Sequence, residues 1–273
     1  MDLRVPSKLN WLQHNLPEGL IVDAAWLERH GYYTALRSKY AAQGRLELVA
    51  RGVYRRHAAS LSGTAKSQSL RWQNVVISLQ MLLKYPVHIG GRTAFEVEGF
   101  AHRLTPARLR EIHLYGAQRP PSWLSRLTLD APFIFRSAAR LFEDSQSDIA
   151  RASFKLLSSA EWERPVVIST PERAILELLD EVPRHETFRQ ADVLVKGLHN
   201  LSPRRLHTLL AACRSIKVKR LFLWFAERHN HAWLKALSRK NIDLGRGRQM
   251  LVRGGKLDPR FNITVPEALD PGA

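Results

Sequence analysis

The spacing of turn residues in the first fifty-six positions constrains the fold most. Pro17-Glu18-Gly19, Gly31, Gly44 and Gly52 cut the chain into short runs, and none of these has room to become a long helix. Ser7–Asn15 reads as a short helix with Leu9, Trp11 and Leu12 apolar. Asp23 is a candidate N-cap for a second helix, Ala24–His30, which Gly31 ends. Tyr32–Gln43 reads as a third helix, closed by Gly44. Leu46-Glu47-Leu48-Val49 and Val53-Tyr54-Arg55-Arg56 are β-prone and flank Ala50-Arg51-Gly52, where Gly52 can take the positive φ of a tight turn. Three helices followed by a hairpin within residues 1–60 predict a winged helix-turn-helix.

The remaining chain, residues 61–273, mixes helices and strands without regular βαβ alternation, so the expected class is α+β. Arg56–Ser69 reads as a polar linker or the start of the next unit. Leu70–Leu83 is a predicted helix, and Gly90-Gly91 precedes another over Thr93–Glu98. Arg110–Tyr115, Leu127–Arg136 and Val166–Ser169 read as strands. Thr170-Pro171-Glu172 and Ser202-Pro203 are helix starts, with a hydroxyl at the N-cap and proline at the first helical position. Helical stretches follow near Lys219–Glu227 and His231–Ser238. Gln249–Arg253 and Phe261–Val265 read as two strands around Gly254-Gly255.

Charge narrows the choice of partner. The chain carries a net charge of +17. Residues 1–60 hold nine basic and five acidic side chains, whereas residues 201–260 hold fifteen and three. Concentrated positive charge points to an anionic partner, nucleic acid above all. The third helix offers a surface for it. Tyr33, Leu36, Tyr40 and Gln43 share one face, and the first three are expected to pack inward. Thr34, Ala35, Ser38, Ala42 and Arg45 lie opposite, flanked by Arg37 and Lys39. A small-residue centre with basic flanks suits a major groove, so Thr34, Arg37, Ser38, Lys39 and Arg45 are candidate DNA contacts. Arg51 at the hairpin tip, with Arg55 and Arg56 on its second strand, would touch the DNA backbone as a wing. In the basic segment 201–260, Lys217, Lys219, Arg220, Arg246 and Arg248 form a candidate second patch.

No catalytic motif stands out. A phosphate-binding Walker loop, a G-x-G-x-x-G turn, a G-x-S-x-G elbow and an H-E-x-x-H motif are all absent. Cys213, the single cysteine, reads as a packed residue. His229-Asn230-His231 lacks the ligand spacing of a metal site. Asp144 with Asp148, and Glu161 with Glu163, read as surface acids. Neither catalysis, a cofactor nor a metal is therefore expected. The apolar runs are too short to span a bilayer and the N-terminus lacks a signal-peptide core, so membrane association is not expected and a cytoplasmic location is.

Leu48-Val49-Ala50-Arg51-Gly52-Val53-Tyr54 resembles the winged-helix domain of AbiEi-type antitoxins. Gly90-Gly91-Arg92-Thr93-Ala94-Phe95, then Thr170-Pro171-Glu172-Arg173-Ala174-Ile175-Leu176-Glu177-Leu178-Leu179, are similar to their C-terminal domain. So are Asp243–Arg248, Gly254–Asp258 and Phe261–Pro266. The resemblance implies an antitoxin of a type IV, abortive-infection toxin–antitoxin system. Its N-terminal domain would bind inverted repeats in its own promoter as double-stranded DNA and repress transcription, placing it at the nucleoid. Its C-terminal domain would counter a nucleotidyltransferase-like toxin without a stable complex. From the residues alone three rivals stay open: a winged-helix regulator with a ligand-sensing C-terminal domain, a nucleic-acid-processing enzyme and an RNA-binding protein.

Overall fold

Capping decides where the first helices begin. The Ser7 hydroxyl accepts the Asn10 amide at the start of α1, Lys8–Asn15, and the Asp23 carboxylate accepts the Trp26 amide at the start of α2, Ala24–Arg29. The computed structural model describes residues 7–56, 70–100, 109–142, 147–159, 162 and 164–269. A tight turn through Gly31 (φ +80°) leads from α2 into α3, Thr34–Ala42. The strands β2, Leu46–Ala50, and β3, Val53–Arg56, form the expected hairpin around Gly52 (φ +77°). A third strand, β1, Ile21–Asp23, pairs antiparallel with β3. Three residues are too few to show a period, so this strand has no signature in the sequence.

The second half centres on a five-stranded mixed sheet in the order β6-β5-β4-β8-β7. Its strands are β4 (Val87–Ile89), β5 (Ile112–Gly116), β6 (Phe133–Ser137), β7 (Phe154–Leu157) and β8 (Val166–Ser169). Successive side chains of a strand point to opposite faces. Val87, Ile89, Ile112, Leu114, Val166 and Ile168 share one apolar cluster with Leu12, Ile21, Leu27 and Val53 of the N-terminal unit, and with α4 (Trp72–Ile77). The core is thus continuous across the boundary expected near residue 60. The linker beyond Arg56, residues 57–69, lies outside the described residues, as do Asp144, Glu161 and Glu163. Hydrogen bonds add to this joint: the Ile21 amide donates to Ser78 Oγ at 2.9 Å, and Asn74 Nδ2 donates to the Gly19 carbonyl at 3.3 Å. The helix predicted over Leu70–Leu83 divides at Ser78, beyond which Ser78–Leu82 is a π-helical turn.

The other sheet face is polar. Here His88 and Ser169 meet Glu177 of α7, Pro171–Glu181. Glu177 is fully buried and accepts from His88 Nε2 (2.9 Å), the Gly91 amide (3.0 Å), Ser169 Oγ (2.8 Å) and Arg173 Nε (2.8 Å). Arg173 is itself buried between the rings of Phe142 and Phe154, at 4.4 and 4.7 Å. Burial alone would raise the Glu177 pKa, but the charges of His88 and Arg173 outweigh it and hold the carboxyl at about 2. The two motifs Gly90–Phe95 and Thr170–Leu179 therefore face each other across this carboxylate. A Cβ on Gly90 would lie 2.2 Å from Glu177 Oε2. The helix start at Thr170 is where the sequence places it, but its hydroxyl donates to the Ala152 carbonyl (2.8 Å) instead of capping α7.

Four further helices pack around α7: α6 (Ser147–Ser153), α8 (Phe188–Gly197), α9 (Pro203–Ala212) and α10 (Ile216–Arg228). α5 (Gly91–Val97) packs along α7. Two expectations fail near the C-terminus. Ala232–Ala236 is only a 3₁₀ turn, and the hairpin pairs β9 (Lys256–Asp258) with β10 (Ile263–Val265). Gln249 makes a single bridge to Ile263, so the strand expected over Gln249–Arg253 is absent. Gly254 and Gly255 precede the hairpin instead of forming its turn.

Two stability outcomes follow from Glu177. Its depressed pKa stabilises the fold above the ordinary value of 4.5, and that contribution drains away as pH falls from 4.5 towards 2. Acid denaturation followed by circular dichroism should show the loss in this window, and Glu177→Gln should remove that part of the pH dependence. At neutral pH the same variant should cost about 3–5 kcal/mol, because Arg173 stays buried without its counter-charge; urea denaturation measures it, and a cost below ~1 kcal/mol would contradict the network.

Candidate nucleic-acid interface

The helix-turn-helix rests on an aromatic cluster. Trp11 of α1, Trp26 of α2 and His30 pack as tilted rings with centroids 4.3–5.9 Å apart, and the Tyr32 hydroxyl donates to the Lys8 carbonyl at 2.5 Å. This fixes α2 against α1 and aims the turn into α3. The outer face of α3 is then open: Thr34, Ala35, Ser38, Lys39 and Ala42 are exposed, and so is Arg45 just beyond it. Lys39 makes no ion pair among the described residues, and Arg45 lies over the Tyr40 ring at 5.7 Å. Arg51 is exposed at the wing tip, where the Gly52 carbonyl accepts the Ala24 amide at 2.8 Å and ties the wing to α2.

Three arginines expected on this surface are placed otherwise. Arg37 is only 6% exposed. It points back into the turn, donating to Glu28 (2.8 Å), to the Tyr32 carbonyl (3.0 Å) and to Thr34 Oγ1 (3.0 Å). Arg55 is buried against Glu47, donating from Nε at 3.0 Å and Nη2 at 2.7 Å. Arg56 donates to the Leu16 carbonyl (2.6 Å) and Glu18 (3.0 Å). The physical reason is the same for each: a carboxylate on a neighbouring element satisfies the guanidinium in fixed geometry, so its charge is spent inside the domain. Thr34 is likewise engaged by Arg37. The unspent cations of the surface are Lys39, Arg45 and Arg51.

Tyr33, expected to pack inward, is 68% exposed at the start of α3, and Leu48 on the wing is 57% exposed. Tyr33 precedes the first helical residue, so its side chain does not follow the helical period that placed it. The exposed pair widens the candidate surface with one aromatic and one apolar contact.

The basic C-terminal patch divides as well. α10 is buried on every side from Val218 to Ala226, and its basic residues go inside with it. Lys219 is buried. Arg220 donates to the carbonyls of Leu244 (2.6 Å), Gly247 (2.5 Å) and Asn262 (3.2 Å), holding a segment that makes few backbone bonds of its own. Lys217 donates to the carbonyls of Asp180 (2.5 Å) and Val182 (2.9 Å). Arg246 and Arg248 are exposed. His229 bonds Asp192 (2.8 Å) and His231 bonds the Val195 carbonyl (2.7 Å), so both have structural partners. Cys213 is buried, which pushes its thiol up to about 11. No helix of the described residues is long and apolar enough to cross a membrane.

A helix-turn-helix with a three-stranded wing sheet, joined through a common core to a mixed α+β unit, makes this a winged-helix protein. Family comparison sharpens that class. The chain belongs to the AbiEi antitoxins, transcriptional regulators of type IV toxin–antitoxin systems: the family's N-terminal domain matches residues 5–106 and the regulator domain matches residues 110–266. The fold is similar to the crystal structure of the RV2827C protein from Mycobacterium tuberculosis, with a TM-score of 0.55 over 93% of this chain and 88% of that one, at 13% identity. No curated protein matches the chain in sequence.

The buried arginine gives a clean test. Arg37→Ala should lower stability by about 1–3 kcal/mol, since it strands the Tyr32 carbonyl and Glu28, whereas Lys39→Ala should leave the melting temperature within error. Thermal denaturation of both variants decides, and equal melting temperatures would return Arg37 to the surface.

Proposed function

We propose that the protein binds inverted repeats of double-stranded DNA in its own promoter through α3 and the wing, and so represses its operon. The observation that carries this reading is the open face of α3, with Ala35, Ser38 and Ala42 at its centre and Lys39 and Arg45 at its edges, beside Arg51 at the wing tip. Small residues allow a helix to enter the major groove, and the cations supply phosphate contacts. Arg37, Arg55 and Arg56 serve the same end indirectly, as positioning residues that hold the helix and wing in register.

Family membership supports the second part of the proposal. The C-terminal unit counters a nucleotidyltransferase-like toxin without forming a stable complex, and its exposed Arg246 and Arg248 take part. A location in the cytoplasm, at the nucleoid when bound to DNA, fits both activities.

An inverted repeat engages two copies, and three cations from each neutralise about six phosphates. The logarithm of affinity for the promoter fragment should then fall with the logarithm of salt at a slope near −5. Lys39→Ala or Arg51→Ala should lower the slope by roughly two, one contact per copy, at unchanged fold. Gel-shift titrations over a salt series measure both, and a slope near zero would refute DNA binding through this surface. In a toxin co-expression assay, Arg246→Glu with Arg248→Glu should abolish growth rescue while promoter affinity holds; full rescue would remove these two residues from neutralisation.

A further inference from the structure

A concave surface lies wholly outside the winged helix. The C-terminal end of α7, the loop after it, the start of α10 and residues 250–253 enclose a cleft of about 560 Å³, within the range of small-molecule sites. Three arginines line it: Arg140 from the turn after β6, Arg184 from the loop after α7 and Arg253 from the segment before β9. All three are exposed, and none has a carboxylate partner among the described residues.

The acids of the cleft are already engaged. Asp180 faces Lys217 at 3.6 Å, and Glu181 is held by Arg136 at 2.9 Å and by His185 at 2.7 Å. The charge left for a ligand is therefore positive, and guanidinium groups match phosphate oxygens in pairs. Part of the remaining wall is apolar. Met250 is 67% exposed, with Pro183 exposed and Leu251 half-buried beside the cleft. A thioether is a soft, adaptable partner for a flat ring. A ligand with a polyphosphate at one end and a ring at the other satisfies both halves.

We propose that this cleft binds a phosphorylated nucleotide, either free or at the 5′ end of a polynucleotide, with Arg140, Arg184 and Arg253 on the phosphates and Met250 against the base. The site uses no residue of the DNA-binding surface and is tested without promoter or toxin.

Isothermal titration of the full-length protein with ATP and CTP should show saturable binding, while adenosine and cytidine should not saturate. Arg184→Ala and Arg253→Ala should each weaken nucleotide binding at least ~10-fold, roughly the loss of one charge-assisted contact. Arg126→Ala, outside the cleft, should leave it unchanged, and circular dichroism should report a native fold for all three. Met250→Ala should weaken nucleotide binding without changing the affinity for pyrophosphate. A 5′-phosphorylated oligoribonucleotide that competes with ATP, where its 5′-hydroxyl counterpart does not, would identify the chain end as a source; failure of both to compete would identify the free nucleotide. The proposal is overturned if neither nucleotide saturates, if pyrophosphate binds as tightly as ATP, or if oligonucleotides bind regardless of their 5′ phosphate while ATP does not.

Discussion

A carboxylate with no contact to water persists only where the protein replaces every hydrogen bond that water made. Glu177 is such a group, and the C-terminal unit is arranged around it. The strand alternation of β4 and β8 delivers His88 and Ser169 to one face, α7 delivers Arg173 one turn before Glu177, and the chain reversal at Gly90-Gly91 delivers an amide. That reversal approaches so closely that no side chain fits at position 90. Because the carboxylate joins two segments far apart in sequence, 88–91 and 169–177, it sets their relative positions more tightly than apolar packing alone, which tolerates sliding.

The opposite face of the same sheet does a different task. Its isoleucines, valines and leucines merge with those under the helix-turn-helix, so the N-terminal unit is seated on the sheet by a common core. One sheet thus carries a polar lock on one side and the docking surface for the winged helix on the other, which the period-two alternation of its strands makes possible.

Several arginines serve this protein as internal fasteners and not as surface charge. Arg37, Arg55 and Arg56 lock the turn, the wing and the start of the wing sheet to neighbouring carboxylates and carbonyls. Arg220 and Lys217 satisfy backbone carbonyls that have no strand or helix partner. A cation bonded to a carbonyl needs no acidic partner, so each such contact adds to the net charge without adding to the surface potential of a binding face. This accounts for part of the charge excess in residues 201–260. Arg246, Arg248 and Arg253 remain outside.

Sequence by itself determined the local grammar. Asp23 and Ser202 cap the helices they were expected to cap, Gly31, Gly44 and Gly52 take positive φ where a helix or hairpin must turn, and the winged-helix order follows from their spacing. These are short-range effects, decided by backbone sterics and by hydrogen bonds a few residues apart. Tertiary structure alone decided which cations remain outside. Arg37 and Lys39 are equivalent in a helical projection, yet Glu28 from the preceding helix claims one and leaves the other to solvent. The brief strands β1 and β4 belong to the same category: each gains its hydrogen bonds from a distant partner, and three residues carry no periodic signal of their own. The Gly90 and Glu177 motifs were legible as separate resemblances, but that they meet across one buried charge is a fact of long-range packing, which no local pattern encodes.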